Sequence, residues 1–352
     1  MDLQIHLQID FELLTIPFMS TISKVAERAG VSRTTVSHVL NHADRVSKPL
    51  RERVLAAIEE LGYVPNPQAQ SLRTGRTNLV AIFIPDILNP YFTELVKTVQ
   101  TEIEASGMDT LVFNTDVPGG HPELHGREYL KQLSRKRVDG VIVADFALHG
   151  MLDQIEQIDL PVVFIGPLDS PGIDSVSLDD YGGGYLMGTH LARAGHRRIA
   201  HVTGPTAFRE SGARSAGFEQ ALADHGVPLD PTLRFEGSFL PPSGQAAVGW
   251  LCDTHAEALP SAVFFANSLM AIGALTEFYD RGIRVPGDIA VATFDHIAQL
   301  EYVRPRLTTV GNSPEVLARR ATQMLLDRLG GDVGQASRRE TVPCVLMEYE
   351  TA

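Results

Sequence analysis

Residues 21–41 read TISKVAERAGVSRTTVSHVLN, and this stretch predicts two short helices joined by a tight turn. The first helix has one apolar face, formed by Ile22, Val25, Ala26 and Ala29. Thr21 or Ser23 can cap this helix at its start, and Gly30 suits the left-handed position that ends it. Both ends of the helix are therefore marked in the sequence.

The second helix is predicted to begin after its cap, Ser32, and it has two unlike faces. Its inner face is apolar, with Val36, Val39 and Leu40. Its outer face is polar, with Arg33, Thr34, Ser37, His38 and Asn41. This arrangement is typical of a helix-turn-helix. A third helix, with Ser47 as its cap and Gly62 at its end, completes the unit. A plain three-helix bundle with a solvated polar face would share this pattern.

Residues 65–78, PNPQAQSLRTGRTN, favour DNA binding over a plain bundle. Pro67 can start a helix of about two turns, too short and too polar to be stable alone. Leu72 is its one large apolar residue, and Arg73 and Arg76 flank it. An exposed leucine between cations suits a wedge inserted between base steps of a minor groove.

Charge and composition support a small DNA-binding head on a large soluble body. The net charge is −13, yet residues 20–77 carry nine Lys/Arg against five Asp/Glu. Cys252 and Cys344 form no CxxC pair, which excludes a disulfide scaffold and a Cys-based zinc site and fits a reducing cytoplasm. No apolar run approaches the roughly 20 residues of a membrane span.

Residues 1–19 lie outside this pattern. They contain no Lys or Arg, so they lack the start of a secretory signal, and their apolar residues alternate as in a half-buried strand. We expect either an unstructured tail or translation that begins at Met19, and we favour the second.

From residue 79 onward, apolar runs alternate with helical patterns and predict an α/β fold with parallel strands. The predicted strands are LVAIFIP, DTLVFNTD, VDGVIVAD, LPVVFIG, IAHVTGP, SAVFFAN and DIAVATFD. They are too many for one simple unit, so we expect two doubly wound parallel-sheet subdomains with a cleft between them. Gly182, Gly183, Gly184 and Gly188 miss the GxGxxG spacing, and we interpret them as sites of helix packing and chain crossing.

Ligands of open α/β sheets bind beyond the carboxyl ends of the strands, and this rule selects a set of candidates. They are Asp86, Asn89, Tyr91, Phe92, Asp145, Arg209, Arg214, Asn267 and Asp295. Carboxylates, amides and a guanidinium around aromatic rings suit a polyhydroxylated ligand, because each hydroxyl needs a partner and each ring face a stacking surface. For any single residue, a helix cap or a surface charge is an equal alternative. We find no catalytic constellation, no metal site and no cofactor motif.

The runs VAERAGVSRTTVSHVLN, PNPQAQSLRTGRTN and LVAIFIPDILNPYF resemble the LacI/GalR family of bacterial transcriptional regulators, and the resemblance extends from Thr21 to the C-terminus. It implies a helix-turn-helix domain over 20–64, a hinge over 65–78 that folds when a homodimer binds palindromic double-stranded DNA, and a periplasmic-binding-protein-like body over 79–352. The chain would cross between the two halves of the body near residues 180, 310 and 340.

The resemblance also implies roles for individual residues. Arg33, Thr34 and His38 occupy base-reading positions, and Leu72 occupies the intercalating position. Many members have arginine where His38 stands, whereas a purine-sensing member has histidine in the same TVSHV context. The full set expected at DNA is Thr21, Ser32, Arg33, Thr34, Thr35, Ser37, His38, Asn41, Leu72, Arg73 and Arg76.

In the body, Arg214 of RSAGF, Asp295 of FDH and Phe239 of GSFLPPSG match the family's ligand-binding positions. Two departures affect the choice of ligand. Ser268 stands where the family often has aspartate, and Asn312 stands where relatives often have glutamine, although we include Asn312 among the ligand candidates.

The sequence therefore predicts a cytoplasmic, dimeric DNA-binding repressor that senses a sugar or polyol. A purine-like effector is the alternative within this class. A sugar-binding transport protein is the alternative from another class, and an enzyme on this scaffold ranks third.

Overall fold

The structure is a computed structural model that describes residues 21–42, 45–64, 75–115, 138–144, 152–157, 159–331 and 336–352, with the backbone alone at 41, 152 and 153. It divides into two compact units, 1–77 and 78–352, which we describe separately. Residues 1–20, Leu72, Arg73 and Asp145 lie outside the described residues. Within the described ranges, no helix is long and apolar enough to cross a membrane.

The described residues of the N-terminal unit form three helices, α1 (Ile22–Ala29), α2 (Arg33–Asn41) and α3 (Lys48–Glu60). Gly30 ends α1 in the left-handed conformation, at φ 62°. Apolar side chains of all three helices meet in one core, which includes Val25, Ala29, Val36, Val39, Val54 and Ala57. The cap predicted for α3 is wrong in one respect: Ser47 occupies the cap position, but its side chain makes no capping hydrogen bond.

The C-terminal unit contains two six-stranded sheets. The first has the order β11-β5-β4-β3-β1-β2 and is parallel throughout. Its strands are β1 (Leu79–Ile84), β2 (Asp109–Asn114), β3 (Gly140–Val143), β4 (Val162–Ile165), β5 (Asp174–Leu178) and β11 (Arg339–Val342). We call this half of the unit the first half.

The second sheet has the order β12-β10-β9-β8-β6-β7, with β12 antiparallel. Its strands are β6 (Ile199–Thr203), β7 (Arg234–Glu236), β8 (Ala262–Phe265), β9 (Ala290–Phe294), β10 (Thr308–Gly311) and β12 (Val345–Met347). The first five strands of each half share one doubly wound order. The predicted fold class, a helical head and an α/β body of two parallel-sheet subdomains, is confirmed.

In the described part of this unit, seven helices accompany the two sheets. They are α4 (Pro90–Ala105), α5 (Leu152–Glu156), α6 (Asp180–Arg193), α7 (Arg209–Asp224), α8 (Pro241–Thr254), α9 (Ser268–Asp280) and α10 (Pro314–Leu329). The chain passes between the halves three times: from β5 through α6 to β6, from β10 through α10 to β11, and from β11 to β12.

Glycines bring α6 and α7 into direct backbone contact. A Cβ atom on Gly184 would lie 2.1 Å from the carbonyl oxygen of Arg214, and one on Gly217 would lie 2.0 Å from that of Tyr181. Since neither contact leaves room for a side chain, the glycines serve helix packing. This packing sets the start of α6 beside Arg214.

Candidate functional site

The outer face of α2 presents exposed polar side chains. Arg33, Thr34 and His38 are exposed, whereas Val36 and Val39 on the opposite face are buried. The His38 ring lies edge-on to that of His42, with centroids 6.3 Å apart. The exposed set can offer hydrogen bonds to base edges or phosphates without disturbing the core.

Other residues expected at DNA have structural roles in this unit. Thr21 Oγ1 accepts a hydrogen bond from Lys24 N at 3.4 Å and so caps α1. Ser32 Oγ accepts one from Thr35 N at 3.1 Å, and the two hydroxyls lie 2.9 Å apart. Ser37 is half-buried and Arg76 is exposed. Asn41 ends α2, and its side chain is outside the described atoms.

The C-terminal unit contains a cavity of about 280 Å³ where strands of both halves end. We call it the strand-end cavity. Its lining comprises Pro85, Asp86, Asn89, Tyr91, Phe92, Phe208, Glu210, Arg214, Ser238, Phe239, Leu240, Asn267, Ser268, Leu269, Asp295 and Ile297. These residues follow β1, β6, β7, β8 and β9, as the strand-end rule requires.

Arg214 lines this cavity and contacts four neighbouring groups. Its Nε donates to Asp180 Oδ1 at 2.8 Å, and its Nη1 donates to the Ala266 carbonyl oxygen at 2.6 Å. Its Nη2 lies 3.5 Å from Asp295 Oδ1. The guanidinium carbon lies 3.9 Å from the centroid of the Phe294 ring, a cation–π contact. These four contacts therefore fix the orientation of the Arg214 side chain.

Burial shapes the electrostatics of the cluster. The side chains of Arg214, Asp180 and Asp295 are only 10%, 7% and 13% exposed. Desolvation raises the pKa of Asp180 and of Asp295, although Arg214 opposes both shifts. Burial alone would lower the pKa of Arg214, but the two carboxylates outweigh it and hold the pKa above its usual value. Desolvation, followed by the charge of Asp295, raises the pKa of Tyr91, so this phenol stays protonated and able to donate.

The backbone holds two lining residues in a rare conformation. Asp295 has φ 70° and Phe239 has φ 64°, both in the left-handed region that costs a non-glycine residue energy. Ser268 Oγ lies 2.9 Å from the Asp295 carbonyl oxygen, to which Thr309 also donates. Asn267 Nδ2 donates to the Phe239 carbonyl oxygen at 2.8 Å. The surroundings thus impose the orientation of both side chains.

The hydrogen bonds of Ser268 explain why this chain has serine where the family often has aspartate. Its hydroxyl donates toward the carbonyl oxygens of Phe294 and Asp295, at 3.0 and 2.9 Å. An ionised aspartate only accepts hydrogen bonds and could not make these contacts. Serine at this position therefore stabilises the strained turn that carries Asp295.

Several predicted ligand residues combine a place in the lining with a local structural role. Asn89 Oδ1 caps α4 by accepting from Tyr91 N at 3.0 Å, and Asn267 Oδ1 caps α9 by accepting from Met270 N at 3.0 Å. Asp86 Oδ1 accepts from Leu88 N at 2.8 Å. Phe92 is buried in a hydrophobic core cluster that contains residues of both halves.

Two predicted ligand residues are not brought to the strand-end cavity. Arg209 is exposed, and its Nη2 lies 2.6 Å from Asp169 Oδ2. Asn312 Nδ2 donates to the Pro343 carbonyl oxygen at 3.3 Å, at a passage of the chain between the halves. Neither lines the cavity.

Sequence reasoning missed Asp180, Phe208, Glu210, Ser238 and Leu240. Asp180 follows β5, whose sequence DSVSL has no continuous apolar run, so the strand-end rule had no strand to apply to. Phe208 and Glu210 flank Arg209, and the strand-end prediction for this region included only its cations. The ring of Phe208 lies nearly parallel to that of Phe239, with centroids 6.2 Å apart.

Comparisons with known proteins agree with both parts of the structure. Residues 21–66 match the bacterial regulatory proteins of the lacI family, and residues 189–351 match the periplasmic binding protein-like domain. The HTH-type transcriptional repressor PurR of Erwinia tasmaniensis is 35% identical over 339 residues, which are 95% of this chain and 97% of that protein.

Two solved structures are similar along the whole chain. The transcriptional regulator CelR in complex with cellobiose is 31% identical, with a TM-score of 0.70, over 95% of this chain and 100% of that one. The lac repressor dimer bound to operator and the anti-inducer ONPF is 26% identical, with a TM-score of 0.82, over 95% and 99%.

A helix-turn-helix head joined to a periplasmic-binding-protein-like body defines a class of ligand-responsive DNA-binding regulators. The chain belongs to the lacI family of bacterial regulatory proteins. It is a DNA-binding transcriptional repressor, like the homologous PurR and lac repressor.

Proposed function

We propose that a sugar or related polyol, bound in the strand-end cavity, controls the affinity of this repressor for a palindromic operator. The observation that carries the proposal is that Arg214 and Asp295 lie 3.5 Å apart in a cavity that is also lined by aromatic residues, at the edge where strands of both halves end. The similarity to a regulator solved with cellobiose supports the same ligand class.

The cavity offers complementary hydrogen-bonding groups to a hydroxylated ring. Asp295 lines the cavity with its side chain 13% exposed, so a ligand hydroxyl can donate to its carboxylate, whose buried Oδ1 accepts no hydrogen bond from the residues that the structure describes. Ser238 and Glu210 supply further polar groups. The ring of Phe239 or Phe208 can cover an apolar face of the sugar. Each buried polar group of the ligand would thus find a partner.

A purine-like effector is the second candidate. The nearly parallel rings of Phe208 and Phe239, 12° apart in orientation, suit a flat heterocycle, and a PurR repressor is 35% identical. The transport-protein alternative does not account for residues 21–66, which match the lacI family.

At the other end of the chain, α2 enters the major groove in this proposal. The exposed Arg33, Thr34 and His38 contact base edges, as is usual for the second helix of this motif. A dimer presents two such helices to a palindrome. Leu72, Arg73 and Arg76 act in the neighbouring minor groove.

The test has two steps. First, selection from random duplex DNA yields the operator, and thermal shift with calorimetry screens neutral sugars and nucleobases against the full chain. Second, fluorescence anisotropy measures operator affinity with and without each ligand found. We expect a sugar to bind and to change operator affinity. Binding by nucleobases alone would favour the second candidate, and a sugar that binds without altering operator affinity would contradict the proposal.

A further inference from the structure

The described lining of the strand-end cavity contains more negatively than positively charged side chains. Among its described lining residues there is one cation, Arg214, and there are three acids, Asp86, Glu210 and Asp295. Glu210 is buried, and Asp295 is 13% exposed. Among the described lining residues, a ligand therefore meets more carboxylates than cations.

Asp180 does not line the cavity itself, but it adds a further carboxylate next to Arg214. It accepts the Nε–H of Arg214 at 2.8 Å, and its side chain is 7% exposed. Asp295 lies on the other side of the same guanidinium, at 3.5 Å. Two buried carboxylates thus share one guanidinium, whose third contact is the Ala266 carbonyl oxygen. No positive charge of Arg214 is left over for an anionic ligand.

Helix starts supply the only opposing field among the described elements at the cavity. Helices α4, α7 and α9 begin there, and each N-terminus is worth about half a positive charge. Asn89 and Asn267 already cap α4 and α9, and Glu210 lies in the first turn of α7. Among the described residues, three helix ends do not offset four carboxylates and one arginine, so the described part of the cavity stays negative.

We propose that Asp180 is a specificity-determining residue: by engaging Arg214 it leaves the strand-end cavity negative, so the effector is an uncharged or amino-substituted polyol and not a sugar acid or sugar phosphate. This inference rests on the proposed function and names its ligand class. A carboxylate that entered would be buried among like charges, which water cannot screen there, and such juxtaposition is strongly unfavourable.

Calorimetry with matched ligands tests the inference on the unmodified full chain. Each series keeps one skeleton and changes its charge: glucose, glucosamine and glucuronate, then galactose, galactosamine and galacturonate. For the skeleton that binds, we expect the acid to be at least about 100-fold weaker than the neutral or amino member. Hypoxanthine and urate form a further neutral and anionic pair, which tests the charge independently of sugar binding.

A pair of adjacent variants tests the role of Asp180. Asp180→Asn retains an acceptor for Arg214 but removes one negative charge, so the acid should gain at least about tenfold relative to the neutral ligand. Asp179→Asn is the matched control, because Asp179 Oδ1 caps α6 at Gly182 N, 2.8 Å away, and makes no described contact with Arg214. The control should leave the ranking of ligands unchanged.

The outcomes separate the two proposals. Uronic acids that bind as tightly as neutral sugars would overturn the charge inference and leave the sugar effector standing. Hypoxanthine that binds while urate and all sugars fail would overturn the polyol effector and support only the discrimination against negative charge. If no member of any series binds, the cavity is not the effector site and the inference fails with it. Because the ranking comes from the wild-type chain, a poorly folding Asp180→Asn leaves the test intact.

Discussion

Replacing Asp295 with asparagine should separate ligand binding from protein stability, because the side chain keeps its shape and loses only its charge. Asp295 Oδ1 lies 3.5 Å from Arg214 Nη2 and accepts no hydrogen bond from the described residues. Burial raises the pKa of Asp295 in spite of Arg214. A carboxyl with a raised folded-state pKa gives its full stabilisation below its unfolded pKa and loses it as the pH rises through the folded value.

At neutral pH Asp295 therefore adds little to stability. We expect Asp295→Asn to change the free energy of unfolding by less than about 1 kcal/mol, since Arg214 keeps its partner Asp180. Arg214→Ala is the informative contrast. It would leave two buried carboxylates without their cation, at a cost of about 3–5 kcal/mol, so it cannot distinguish a structural role from a ligand role.

Ligand affinity, in contrast to stability, should fall markedly in Asp295→Asn. A hydrogen bond from a ligand hydroxyl to a carboxylate contributes about 1.5–3 kcal/mol, so Asp295→Asn should weaken the sugar by about 10- to 100-fold. Operator affinity in the absence of ligand should stay at the wild-type level, because the N-terminal unit is untouched. Calorimetry, thermal unfolding and operator anisotropy measure the three quantities.

Asp288→Asn is the control for this variant. Asp288 is an acid in the same half that pairs with Arg284 at 2.6 Å on the surface. Its replacement should leave ligand affinity unchanged. Wild-type ligand affinity in Asp295→Asn would refute the reasoning, as would a loss of several kcal/mol in stability, which would assign the residue to the ion pair alone.

Three further predictions concern other parts of the chain. His38→Ala should cost about 1–3 kcal/mol against the selected operator but little against random DNA, and equal losses on both would contradict base reading. Asp174→Ala should lower the free energy of unfolding by about 3–5 kcal/mol in urea, since this 2% exposed carboxylate accepts hydrogen bonds from Arg328 and Arg338; a loss below 1 kcal/mol would contradict the buried-pair interpretation. Burial lowers the pKa of His201 to about 4, so on acidification the unfolded chain takes up a proton at this histidine before the folded chain does. The free energy of unfolding of the wild type should therefore fall by about 2 kcal/mol between pH 7 and pH 5. His201→Gln should lack that part of the pH dependence, and identical profiles would refute it.

The helical head could be predicted closely because its signals are local. Thr21, Gly30 and Ser32 mark helix ends through contacts with the nearest backbone, and these contacts are present. Ser47 was the exception, because the presence of a capping residue does not fix the orientation of its hydroxyl. The polar outer face of α2 likewise follows from helical periodicity alone.

The body could be predicted only where strands are continuous apolar runs. All seven predicted strands exist, whereas β5, β7, β10, β11 and β12 were missed. β7 and β12 have three residues each, and β5 and β11 contain polar residues at an edge or near the passages between halves. Their pairing is decided by the neighbouring strand rather than by their own composition.

The position of a residue after a strand does not by itself predict whether its side chain lines the cavity. Arg209 and Arg214 both follow β6 on α7, but residues five apart on a helix point about 140° away from each other. One guanidinium therefore reaches Asp169 at the surface, and the other is buried beside Asp180. Asp179 and Asp180 pose the same problem at closer range, since one caps α6 and its neighbour binds Arg214. The turn of each helix determines which of these four charges a ligand meets, and hence the sign of the charge that the ligand must carry.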